Sequence, residues 1–135
     1  MRRAQAYLSQ YRDVGVAGDI ANASPHKLVS LLLRGARDRI QLAELAIGRN
    51  DIARKANAIN RAYGIIEGLR ITLDREHGGE IASGLDEIYR YSGQRLVESN
   101  ATNDLGGLRE VDGLLKEIES AWLQIPVTAQ SSLRR

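Results

Sequence analysis

The chain has no cysteine and no phenylalanine in 135 residues, and only one tryptophan, one methionine and two prolines. Without cysteine there is neither a disulfide framework nor thiolate chemistry, a pattern that fits a reducing compartment. With aromatic residues at 4%, the core must be assembled from Leu, Ile, Val and Ala. That alphabet suits helices and argues against a sandwich or barrel. An excess of one charge is also missing, since 19 Lys and Arg face 17 Asp and Glu for a net charge of +2. The basic residues are interleaved with acids, as in Arg37-Asp38-Arg39 and Asp74-Arg75-Glu76. A nucleic-acid binder gathers its charge into a patch or stripe, so the expectation is a solvated helical surface. No apolar run approaches the roughly 18 residues of a membrane span. The opening MRRAQAYLSQYRD has no apolar segment behind its arginines, so a secretory signal is not expected and the expected compartment is the cytoplasm.

The length predicts one domain that buries roughly two-thirds of its unfolded surface. Residues 1–23 are polar and broken by Gly15 and Gly18, with Tyr7, Leu8, Tyr11 and Val14 at helical spacings. They read as a short helix or an arm that orders against a partner. Ser24-Pro25 is a helix start, a serine cap followed by proline where its missing N–H costs nothing. Leu28, Leu32, Ala36, Ile40, Ala43 and Ile47 form the first apolar stripe, with Gly48 as the stop.

A second stripe follows Asn50-Asp51 and runs through Ile52, Ala56, Ile59, Tyr63, Ile66, Leu69 and Leu73. Ile81, Leu85, Ile88, Ser92 and Leu96 mark a third. Leu105, Leu108, Val111, Leu115, Ile118 and Trp122 mark a fourth, preceded by the cap candidates Thr102, Asn103 and Asp104 and stopped by Pro126. Four stripes with short links predict an all-α fold, an antiparallel four-helix bundle over residues 24–125. The arm at 1–23 precedes it, and a disordered tail at 126–135 follows.

The segment Thr72–Tyr91, TLDREHGGEIASGLDEIYRY, gathers Asp74, Glu76, His77, Gly78, Gly79 and Glu80. Metal sites in bundles need converging ligands such as Glu-x-x-His on two helices, and that motif is absent. The only other histidine, His26, lies in the first helical turn. The glycine pair has no preceding strand and no Gly-Lys-Ser/Thr after it, as a phosphate loop would. Glycines that end helix two by positive φ, with Glu80 at the positive end of helix three, account for every residue. The stretch reads as a joint. No Ser/His/Asp order recommends itself either, so neither an enzyme, a metal nor a cofactor is expected. Glycines within helices, such as Gly64 and Gly68 one turn apart, fit tight bundle packing or shallow grooves for a partner helix.

These residues resemble the FliS family of flagellin-specific export chaperones. Ala23-Ser24-Pro25-His26-Lys27-Leu28 looks like that family's first-helix opening, and Gly35-Ala36 falls where its Asp-Gly-Ala does. The most specific block is Leu73-Asp74, Glu76, Gly78-Gly79-Glu80-Ile81-Ala82, Leu85, Tyr89-Arg90-Tyr91 and Arg95-Leu96, completed by Asn103-Asp104, Leu114-Leu115 and Ala121-Trp122. Tyr11 falls where the family has an N-terminal tyrosine. Leu33-Arg34 and Ser92 depart from it, standing where an aromatic with aspartate, and methionine, are common.

The resemblance implies a helical bundle in the bacterial cytoplasm that binds the C-terminal segment of flagellin. It thereby prevents premature polymerisation and keeps flagellin competent for export. Such a segment, disordered when free, folds with its apolar face in hydrophobic grooves. The candidate groove residues are the apolar ones outside the expected core stripes, Ile65, Ile71, Tyr89, Tyr91 and Val97, with Leu69 shared between stripe and groove. Tyr11 is expected either to pack in a groove of the free protein and be displaced or rearranged by cargo, or to belong with its arm to the permanent core. Flagellar export apparatus or regulatory proteins are further candidate partners. The alternative is a nucleic-acid-binding or regulatory adaptor bundle, which would need the scattered arginines to converge.

Overall fold

The structure, a computed structural model, describes residues 24–124, and these form four helices, α1 (Pro25–Gly48), α2 (Ile52–Ile71), α3 (Arg75–Thr102) and α4 (Leu105–Gln124). The expected arm and tail, and with them Tyr11, lie outside the described residues. Each helix packs on its neighbour in sequence, and α4 closes the ring against α1. Links of two or three residues leave successive helices no route but antiparallel, giving the expected all-α bundle.

Local chemistry sets the helix ends. The Ser24 hydroxyl accepts the Lys27 N–H at 3.2 Å, and the Asp51 carboxylate accepts that of Arg54 at 3.1 Å. Each satisfies one of the donors that a helix start leaves orphaned. The left-handed residue after α1 is Asn50, at φ 57°, while Gly48 is the last helical position. The Asp51 N–H then reaches back to the Ala46 carbonyl at 2.8 Å, closing a Schellman-type end. Asn103 repeats the device after α3 at φ 56°, and Asp104 accepts the Gly107 N–H at 3.2 Å to start α4. The two reversals are tied together. Lys55 Nζ donates to the Asn100 carbonyl at 2.7 Å and to Asn103 Oδ1 at 2.6 Å.

The core is aliphatic, with Leu33, Ile40, Ile59, Ile66, Leu96, Leu108, Val111 and Leu115 fully buried. The α1 and α4 stripes fall as expected, and Trp122 is buried. The α2 stripe does so in part, with Ile59, Ile66, Leu69 and Leu73 buried. Ile52 and Tyr63 are exposed, and the buried face is Ala58, Ile59, Ala62, Ile65, Ile66 and Leu69. Because α2 packs against both α1 and α3, its buried arc is wider than one stripe and is rotated from the expected one. Ile65, expected outside the core, therefore lies inside it. Tyr89 is likewise core, with Ile81 turned outward.

The joint is also displaced. Helix α2 ends at Ile71, and Asp74 caps α3 by accepting the His77 N–H at 3.1 Å. Gly78 and Gly79 therefore belong to the start of α3, not the end of α2. Gly79, at φ 54° and ψ −131°, breaks that helix after its first turn.

Candidate functional site

At the end of the bundle where α1 begins, the α2–α3 joint and the last turns of α4 enclose an apolar cleft of about 260 Å³. Val29 closes its α1 side, and Leu69, Thr72 and Leu73 form the α2 side. The Gly79 break sets the direction of the following turns of α3, which supply Ile81, Leu85, Ile88 and Tyr89. Leu114, Glu117, Ile118, Ala121 and Trp122 complete the wall from α4. Trp122 is fixed from two sides. Its indole donates to the His26 carbonyl at 3.0 Å, and its ring stacks on the His26 imidazole with centroids 5.7 Å apart. Tyr89 is 2% exposed, and burial raises its phenol pKa, so the hydroxyl stays neutral. Ile81, 61% exposed, stands at the rim.

The chemistry available here is apolar burial with a few polar edges, which suits the apolar face of a helix. Charged groups hold the frame around it. Asp86 accepts Arg75 Nη2 at 2.6 Å and Arg70 Nη1 at 3.4 Å, tying α3 to the end of α2. Burial raises the pKa of this carboxyl, but the Arg75 hydrogen bond and the charges of Arg75 and Arg70 outweigh it and hold the value below the usual range. His77 and Asp74 act locally, with Nδ1 lying 2.9 Å from Oδ2. The hydrogen bonds from the His77 backbone and ring lower the Asp74 pKa. Among the described residues no three His, Cys, Asp or Glu side chains are grouped to hold a metal ion. No described helix is long and apolar enough to cross a membrane. Several arginines are paired with acids, as Arg37 with Asp112 and Glu119, and Arg95 with Glu110.

The expected groove residues do not form one surface. Leu69 and Tyr89 line the cleft, though both are buried and their outer edges alone meet it. Val97 is exposed in a separate, more polar groove between α2 and α3, with Tyr63, Arg70 and Arg90. Tyr91 lies over the α3–α4 seam and donates its hydroxyl to Glu110 at 2.7 Å. Ile65 is interior, and Ile71 is half-buried at the last residue of α2, outside the lining of either groove. Much of the cleft wall comes from the expected core stripes: Leu73, Ile81, Leu85, Ile88, Ile118 and Trp122. The signal that could have found it is the length of the α3 and α4 stripes, whose outermost residues Ile81 and Trp122 both line the cleft.

The family described as flagellar protein FliS matches residues 7–129. The chain is 44% identical over 115 residues to the flagellar secretion chaperone FliSB of Pseudomonas aeruginosa, a match covering 85% of this chain and 91% of that one. It is 40% identical to the flagellar secretion chaperone FliS of Salmonella typhimurium, over 87% of this chain and 88% of that protein. With the Bacillus subtilis chaperone of the same name the identity is 35%, over 78% and 77%. With similarity of this extent running across the whole bundle, the chain belongs to the FliS family of flagellar secretion chaperones, which are not enzymes.

Proposed function

We propose that the protein acts in the cytoplasm as a flagellar export chaperone whose cargo is the C-terminal segment of flagellin. The segment is taken as an amphipathic helix with its apolar side in the cleft between α2, α3 and α4. The observation that carries this reading is the cleft itself, apolar on three sides and walled by Leu69, Leu85, Tyr89 and Trp122. A segment that is disordered alone gains helix when such a surface buries its apolar face. Val97 and Tyr91 lie further along α3 and extend the path as secondary contacts. The arm before Ser24 joins the bundle at the cleft end, and we place Tyr11 as the tethered occupant of the cleft in the free chaperone. A tethered competitor lowers apparent affinity without abolishing binding.

Trp122 is the only tryptophan in the chain and lines the cleft. Titration with a tryptophan-free flagellin C-terminal segment should change its fluorescence, with a one-to-one endpoint by calorimetry. Helical circular dichroism should exceed the sum of the parts. Ile81→Asp, at an exposed rim position, should fold normally and weaken binding about tenfold or more. An additive spectrum with no heat of binding would overturn the reading.

A further inference from the structure

The α1–α2 hairpin carries a second apolar surface, far from the cleft. Leu42 and Leu45 stand outward on α1, 48% and 57% exposed. With Ala46, Ala53 and Ala58 they line a shallow cleft of about 400 Å³. Leu45 follows Val29 of the cargo cleft by sixteen residues of α1, about 24 Å along the axis. The rim holds Arg49 and Arg54 against one acid, Asp51. That acid is committed to capping α2 and to Arg54, at 3.3 Å. The face is therefore apolar at its centre and positive at its edge.

Charge decides among the occupants. A second copy across a two-fold axis would set these arginines against their own equivalents. The chain's own segments outside the described residues fit no better. Residues 1–23 carry Arg2, Arg3 and Arg12 against Asp13 and Asp19, and the residues after Gln124 carry Arg134 and Arg135 without an acid. Both are net positive. We propose that this face docks an acidic amphipathic helix of a partner protein. Its aliphatic anchors seat on Leu42 and Leu45, and its Asp and Glu flanks face the arginine rim. The site is separate from the cargo cleft, so partner and cargo are held together, and it does not depend on which cargo the cleft takes.

The test uses the full chain and two labelled synthetic helices. Both carry leucines at three- and four-residue spacing, one flanked by glutamates and the other by lysines. Fluorescence anisotropy should show the acidic helix binding about tenfold or more tightly than the basic one, with affinity falling as salt rises. Leu42→Ala with Leu45→Ala should weaken it about tenfold. Arg49→Glu should weaken the acidic helix and strengthen the basic one, a reversal that misfolding cannot produce. Saturating flagellin C-terminal segment should leave the affinity unchanged. Equal binding of the two helices, or a preference unmoved by Arg49→Glu, overturns the proposal. So does displacement by flagellin, or a dimer of the free chain that the Leu42 and Leu45 changes dissociate.

Discussion

Gly79 combines φ 54° with ψ −131°, and a β-carbon there would have no neighbour within 4 Å. Space is thus available, and the cost of a side chain is purely conformational. Gly79→Ala should destabilise the bundle by about 1–3 kcal/mol, read as a lower urea midpoint at unchanged slope. Asp86 offers a pH test. Its folded pKa lies below the ordinary 3.8, so the unfolded chain binds its proton more readily. The contribution is fully present above that ordinary value and is lost as pH falls through the lower folded one. Thermal melts across about pH 2 to 5 should therefore show an acid limb that Asp86→Asn flattens. An unchanged limb would mean that Arg70 and Arg75 do not act through this carboxylate.

Between elements, α1 and α4 are joined by a polar clamp set into an apolar seam. Arg37, 8% exposed, donates Nε to Asp112 and Nη1 to Glu119, both at 2.8 Å. Removing the cation leaves Glu119 only Arg34 at 3.4 Å and Asp112 only the Gln41 amide at 3.5 Å, so Arg37→Met should cost about 1–3 kcal/mol. Changing Asp112 and Glu119 to leucine in the same chain should recover most of the loss, measured by chemical denaturation. The α3–α4 seam offers the opposite case. A β-carbon at Gly107 would overlap the buried Ser99 hydroxyl, which has no hydrogen-bond partner. Gly107→Ala should destabilise by about 1–3 kcal/mol. Ser99→Ala alone should be close to neutral, and the pair should show favourable coupling of about 1 kcal/mol. Additivity in that cycle would mean that the overlap is relieved by backbone movement.

For the whole molecule, the question is how a bundle with an open apolar cleft stays dispersed before cargo arrives. Exposed apolar area of that kind invites association, and we propose the arm carrying Tyr7, Leu8, Tyr11 and Val14 as its tethered cover. A chain lacking residues 1–17 should fold, bind the flagellin segment as well or faster, and take up more hydrophobic dye. A clear fall in melting temperature would instead make the arm a permanent part of the core.

Composition and periodicity determined the helical class, the four helices among the described residues and most of their ends. The Ser24 and Asp51 caps, the α1 and α4 stripes and the burial of Trp122 depend on residues close in the chain or on one helix face. The FliS resemblance was legible in motifs spread over the bundle, above all around Gly78-Gly79-Glu80 and Tyr89-Arg90-Tyr91. What only the tertiary structure decided was phase and exposure. Helix α2 has apolar residues on adjacent stripes, and contact with both α1 and α3 buries Ile65 while leaving Tyr63 outside. The joint moved to Thr72–Asp74 because the Asp74 cap starts a helix before the glycines, which a local reading takes as its end. The cleft likewise joins Leu73, Leu85, Ile118 and Trp122, residues that each read alone as core. Whether an apolar side chain faces another helix or a cleft depends on how far the helix ends diverge, a long-range property of packing that one-dimensional spacing does not carry.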